Sequence, residues 1–152
     1  MRKLELLIPP PVITGLCALG MWGAGKVARL EMNLPGGRWL AAALALAALT
    51  IFLLAGRHMF RVKTTVSPFS PERSSTLVRD GVFRYTRNPM YLAAILLLIA
   101  WGLFLGNLSA FIFPVLFFLY ITRFQILPEE KILAKIFGET YAAYKLKTRR
   151  WL

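Results

Sequence analysis

Apolar residues along this chain gather into four blocks, 6–25, 39–56, 90–106 and 109–127, each about long enough to cross a bilayer as a helix. The last two blocks form one run, Met90 to Thr122, that contains no charged side chain. As a single helix that run would extend roughly 50 Å at about 1.5 Å per residue, well beyond a ~30 Å hydrocarbon core. Gly106-Asn107-Leu108-Ser109 supplies the break. A hairpin turning there brings the basic Tyr85-Thr86-Arg87-Asn88-Pro89-Met90-Tyr91 and the acidic Pro128-Glu129-Glu130 to the same membrane face, where neither segment alone forms a site. The pattern predicts an all-α integral membrane protein of about four transmembrane helices, with an ordered loop at 57–89 and a tail at 128–152 that carries a C-terminal amphipathic helix.

Composition supports one such unit: 152 residues, 57% hydrophobic, with a mean hydropathy of +0.58, are too apolar for an ordinary soluble domain and too few for two bundles. The first block follows Arg2 and Lys3 as a signal peptide would, but its apolar length exceeds a signal core and Pro9-Pro10-Pro11 interrupts it. A retained helix is expected, with Pro10 or Pro11 in the first turn, where the missing donor costs no hydrogen bond. Seven cations from Arg57 to Arg87 and six from Lys131 to Arg150 flank the spans, while the turn at 106–109 has none. That bias orients the loop, the tail and both termini toward the cytoplasm.

The net charge of +12 lies beside the hydrophobic blocks, which fits topology and anionic lipid headgroups rather than nucleic acid. A lone Cys17 within a span makes no internal disulfide, and no Cys/His spacing suggests a metal site. His58, where the second block ends, reads as an interfacial histidine.

The loop after Phe60 is rich in turn formers and β-branched residues, Thr64-Thr65-Val66-Ser67-Pro68 and then Pro71 and Ser74-Ser75, and is expected to be extended. Leu77, Val78, Val82, Phe83 and Tyr85 give it anchors for packing over the mouth of the bundle. Pro128-Glu129-Glu130 has the form of a helix start, with proline in the first turn and acids near the positive end of the dipole. Ile132, Leu133, Ile136, Phe137, Tyr141 and Tyr144 then form an apolar stripe at helical spacing, broken by Gly138.

In order and spacing, Thr64-Thr65-Val66-x-Pro68, Leu77-Val78-x-x-Gly81-x-Phe83-Arg84, Arg87-Asn88-Pro89-Met90-Tyr91, Pro128-Glu129-Glu130, Phe137-Gly138-x-x-Tyr141-x-x-Tyr144 and Arg149-Arg150-Trp151 resemble the isoprenylcysteine carboxyl methyltransferase family. That group has bacterial members and is similar to the phospholipid methyltransferases. The resemblance covers about Thr64 to Leu152. It implies methyl transfer from S-adenosylmethionine to a lipid or lipid-modified acceptor in a bacterial inner membrane, with cofactor contacts at Ser75, Thr76, Leu77, Val78, Phe83, Asn88, Pro89, Met90, Tyr91 and Glu129. Ser75 and Asn88 stand where prenylcysteine enzymes have histidine, Phe83 where they have tyrosine, and Ala93 at a common glycine position.

The residue types suit that chemistry. A sulfonium cation, a zwitterionic tail and a flat adenine want aromatic faces, amides and a carboxylate. Arg123, in the last turns of a span, is a candidate for the acceptor end. Gln125 occupies the position four before the glutamate where prenylcysteine enzymes place the arginine that orients the acceptor carboxylate, and Arg123 lies about 200° around the helix from it. Two other functions remain open on the sequence: an NADPH-dependent membrane lipid reductase, and a non-catalytic scaffold or sensor of the same fold. Gly102 and Gly106 read as a close-packing pair, and Arg149-Arg150-Trp151 as an interfacial anchor. Arg84 and Arg87 are candidate partners for the glutamates or for lipid phosphate.

Overall fold

A computed structural model describes residues 5–28, 30–61 and 76–152. Five α-helices follow one another: α1 Pro10–Val27, α2 Gly37–Arg61, α3 Pro89–Leu105, α4 Ile112–Ile121 and α5 Leu127–Lys147. Short 3-10 turns at Gly81–Arg84 and Leu108–Phe111 lead into α3 and α4. Among the described residues no strand forms. Two helical runs are long and apolar enough to cross a membrane, α2 and the continuous stretch Leu108–Lys147, while α3 is a shorter apolar helix.

The first helix begins at Pro10 rather than at residue 6, because consecutive prolines cannot continue a helix inward but fit its first turn. On α2, Ala41, Ala48 and Ala55 are buried at seven-residue spacing, and this small-residue stripe lets α2 lie along α3, which buries Ala93, Ala100 and Gly102. Gly102 acts as the sequence suggests: a Cβ there would press within 3.1 Å of Met21 and Phe111. Gly106 has a different task. It caps α3 in the left-handed region at φ 61°, the conformation that turns the hairpin and that glycine adopts without strain.

Met21, Leu98, Ala110, Phe117, Ile121 and Ile126 form the core cluster where α1, α3 and α4 meet. Trp101 Nε1 donates to the Ala18 carbonyl at 3.1 Å, tying α1 to α3.

The helix start expected at Pro128 is not a new start. The chain passes from α4 into α5 through one π-helical turn, Thr122–Ile126. Proline offers no N–H to the carbonyl four residues back and its ring collides with it; the wider turn takes up the collision. The freed Phe124 carbonyl accepts the Leu6 N–H at 3.0 Å, so the segment before α1 completes the hydrogen bonding that Pro128 leaves open. The tail helix is also not a single stripe. Gly138, at φ 49° and ψ −125°, kinks α5, leaving Ile136 exposed while Tyr141 and Tyr144 turn inward.

Candidate functional site

The hairpin places Tyr91, at the start of α3, against Glu129, at the start of α5, with the phenol donating to Glu129 Oε1 at 2.6 Å. They border a cavity of about 820 Å³, within the range of small-molecule sites. Its polar end is built from Arg87, Asn88, Tyr91, Glu129 and Glu130, roofed by Tyr141 and Tyr144 beyond the Gly138 kink. An apolar arm continues between the helices along Thr14 of α1, Ala45, Ala48, Leu49 and Phe52 of α2, and Ala94 and Leu97 of α3.

Of the residues expected at a cofactor, Thr76, Leu77, Val78, Phe83, Asn88, Pro89, Met90, Tyr91 and Glu129 all line this one cavity. Ser75 lies outside the described residues, as do Thr64 to Pro68. The loop reaches the cavity because Gly81 turns it at φ 60°, with the His58 ring packed where a Cβ would stand. The Tyr144 hydroxyl then donates to the Phe83 carbonyl at 2.7 Å, holding roof to loop.

Arg123 and Gln125 are not among the lining residues. Arg123 pairs with Glu5 at 3.1 Å, its side chain 44% exposed, beside a separate groove with Ile13, Cys17 and Tyr120. Gln125 is buried and donates from Nε2 to the Ile8 carbonyl at 2.8 Å. With the Leu6 bond to Phe124, both side chains dock the segment before α1 onto the π-turn. Neither contact had a signal in the chain, because each reaches a segment more than a hundred residues away.

The adjacent glutamates face opposite tasks, as a 100° step around a helix requires. Glu130 is 8% exposed and fully engaged. Arg150 reaches it through Nε at 2.9 Å and Nη2 at 2.8 Å, and Arg87 Nη2 at 2.8 Å. Burial alone would raise its carboxyl, but the hydrogen bonds and charges of Arg150 and Arg87 outweigh burial and hold it below the ordinary value. Among the described residues Glu129 has no such cation. Burial, first, and the neighbouring Glu130 charge push it up to about 7, against the opposing hydrogen bond from Tyr91.

Arg87 Nη1 closes the end of α5, donating 2.7 Å to the Thr148 carbonyl and 3.3 Å to that of Lys145. Arg150 is therefore not only an interfacial anchor. Sequence reasoning named Arg87 as a candidate partner for the glutamates, which its bond to Glu130 bears out, but missed Arg150, although an acidic pair among many arginines was a usable signal, since a carboxylate buried at a helix start needs cations. It also read residues through Phe60 as spans alone, whereas α1 and α2 wall the apolar arm.

The model of the phospholipid methyltransferase family matches residues 37–140, which include α2, α3, α4, the loop, both glutamates and most of the cavity wall. A protein of Haemophilus influenzae named only as uncharacterized is 49% identical over 63 residues, covering 41% of this chain and all of that protein. The protein-S-isoprenylcysteine O-methyltransferase of Schizosaccharomyces pombe is 34% identical over 74 residues, 47% of this chain and 30% of that enzyme's length.

Proposed function

The chain belongs to the phospholipid methyltransferase family, and from that premise we propose that it transfers a methyl group from S-adenosylmethionine to a lipophilic or lipid-modified acceptor. Glu129 carries the reading: a buried carboxylate at a cavity, bonded to the neutral Tyr91 phenol and, among the described residues, to no cation. Such a group suits a cationic ligand. The aromatic rings of Phe83, Tyr91 and Tyr141 and the amide of Asn88, all lining the same cavity, complement a sulfonium, an ammonium and a flat base.

When bound, the cofactor supplies an electrophilic methyl carbon. The chain's own contribution is placement and exclusion of water, since in-line displacement needs the partners aligned at about 3–3.5 Å. Tyr91 fixes the Glu129 carboxylate, Glu129 holds the cation, and Leu77, Val78 and Met90 keep the wall dry. The apolar arm receives the hydrocarbon of the acceptor, where Ala45, Ala48 and Ala94 leave room between the helices. An acceptor that presents a carboxylate would arrive deprotonated and require no base. Arg123 and Gln125 take no part at the reacting atoms in this reading, because both are committed to the segment before α1.

The domain sits as a four-span unit in a bacterial inner membrane, with the cavity's polar end and both termini on the cytoplasmic side, as the placement of Lys and Arg supports. The reductase alternative fares worse on charge: among the described residues the cavity's cation, Arg87, is already paired, and two carboxylates oppose a dinucleotide's phosphates. Calorimetric titration of the detergent-purified protein with S-adenosylmethionine and S-adenosylhomocysteine, with NADPH as control, tests the reading. Saturable binding of both sulfur compounds is expected. Binding of NADPH alone, or of none in a folded sample, would overturn it.

A further inference from the structure

The segment after α5 does more than end the helix. At Thr148 the backbone becomes extended, with φ −128° and ψ 130°; the Thr148 N–H still bonds the Tyr144 carbonyl at 3.0 Å, but residues 149–151 lie beyond the helix. They are fixed from the side. Arg150 grips Glu130 with two donors, Arg87 Nη1 bonds the Thr148 carbonyl, and the Arg87 N–H donates to the Arg149 carbonyl at 3.0 Å.

This strap presents one backbone group to the cavity wall. The Arg150 carbonyl accepts from Asn88 Nδ2 at 2.9 Å and from Thr86 Oγ1 at 3.2 Å. Asn88 is the residue before α3, where an asparagine side chain ordinarily caps the helix by accepting a backbone N–H, yet its side chain makes no such bond. A carbonyl can only accept, so the amide nitrogen of Asn88 must face the strap, and this settles which end of the amide is oxygen. Among the described residues that oxygen has no hydrogen-bond partner, and Asn88 lines the cavity.

We propose that Arg150 is a positioning residue for the cofactor site: its grip on Glu130 holds its own carbonyl against Asn88, which turns the Asn88 amide oxygen into the acceptor for an N–H or O–H donor of the bound nucleoside or its ammonium. The inference rests on the cavity being the S-adenosylmethionine site. Arg150 itself does not line the cavity and acts only through the amide. The arrangement makes a strap distant in sequence a component of the binding site, and it selects a donor group on the ligand at this point of the wall.

A double-mutant cycle on S-adenosylhomocysteine affinity tests it, with Arg150→Ala and Asn88→Ala made singly and together and read by calorimetry. With Asn88 present, losing Arg150 is expected to weaken binding about tenfold, the scale of one hydrogen bond; with Asn88 already alanine, the same change moves affinity less than about twofold. Should Arg150→Ala not fold, Arg150→Lys takes its place in the cycle, since an ammonium gives Glu130 one point of contact instead of two. Equal weakening in both backgrounds, or a lower melting temperature with unchanged affinity, would make Arg150 a purely structural residue. A folded wild-type protein that does not bind S-adenosylhomocysteine would instead strike the cofactor reading, and this inference with it.

Discussion

The two ends of the α3–α4 hairpin solve the same problem with opposite residue types. At the turn end, Asn107 is buried and balanced: Nδ2 donates 3.0 Å to the Ala28 carbonyl, and Oδ1 accepts the Ser109 N–H at 2.9 Å. Met32 N–H adds a bond to the Gly106 carbonyl and Leu108 N–H one to that of Leu30. Every one of these partners is backbone or neutral side chain. At the other end the hairpin closes on three arginine-to-glutamate bonds and, among the described residues, leaves Glu129 with a phenol alone. A closure that satisfies all its polar groups is structural. One that keeps a buried carboxylate without a cation, beside a large cavity, holds free energy in reserve for a ligand.

Glu129→Gln should show the largest effect. The amide can still accept the Tyr91 hydrogen bond but offers no charge, so S-adenosylhomocysteine affinity is expected to fall roughly 10- to 100-fold, the range of a charge-assisted hydrogen bond. Thermal stability should hold, and above pH 7 it should rise slightly, because a buried charge has been removed. Affinity equal to wild type by calorimetry would reduce Glu129 to a helix-start acid.

Asn107→Ala probes the opposite end. It should cost about 1–3 kcal/mol of stability in denaturant titration, since the Ser109 N–H loses its acceptor and the Ala28 carbonyl a donor. Cofactor affinity should not move. A change in affinity there would mean that the two ends are coupled and that the contrast between them fails.

Acidity sharpens the same contrast. With Glu129 pushed up to about 7, a cationic ligand must displace a proton at lower pH, so affinity should drop as pH falls below about 7, approaching tenfold per unit, and level off above it. In Glu129→Gln that slope should vanish. Folding stability has the opposite sign: a carboxyl raised in the folded state contributes most below its ordinary value of 4.5 and loses that contribution as pH rises through about 7. Glu130, held low by two arginines, contributes stability that disappears only on acidification. Calorimetry and melting curves across pH 5–8 separate the two.

Much of this was legible in the chain. The hairpin followed from an uncharged run too long for one span and a glycine in its middle, and the cavity wall from the motifs flanking that run that carry the family resemblance. What escaped was pairing that depends on backbone made available elsewhere. Pro128 reads alone as a helix start, but within a continuous helix it forces a π-turn and frees a carbonyl. Arg150 reads as a membrane anchor until Glu130 is known to be buried beneath it. Neither consequence has a local signature, because each joins positions twenty or more residues apart or lies in the geometry of one altered turn.

Arg123→Ala carries the smallest expected effect and the sharpest decision between two accounts of one residue. Its position near the end of a span suggested an acceptor-binding role, whereas the structure pairs it with Glu5 beside a groove apart from the cavity. An ion pair this exposed contributes about 0–1 kcal/mol, so stability should change little, with S-adenosylhomocysteine affinity and acceptor KM both unaltered. The segment before α1 would keep its Leu6 and Ile8 bonds to the π-turn and stay docked. A raised acceptor KM with intact cofactor binding would show that the acceptor reaches α4, and would move its path from the arm between α2 and α3 to the α1–α4 side of the bundle.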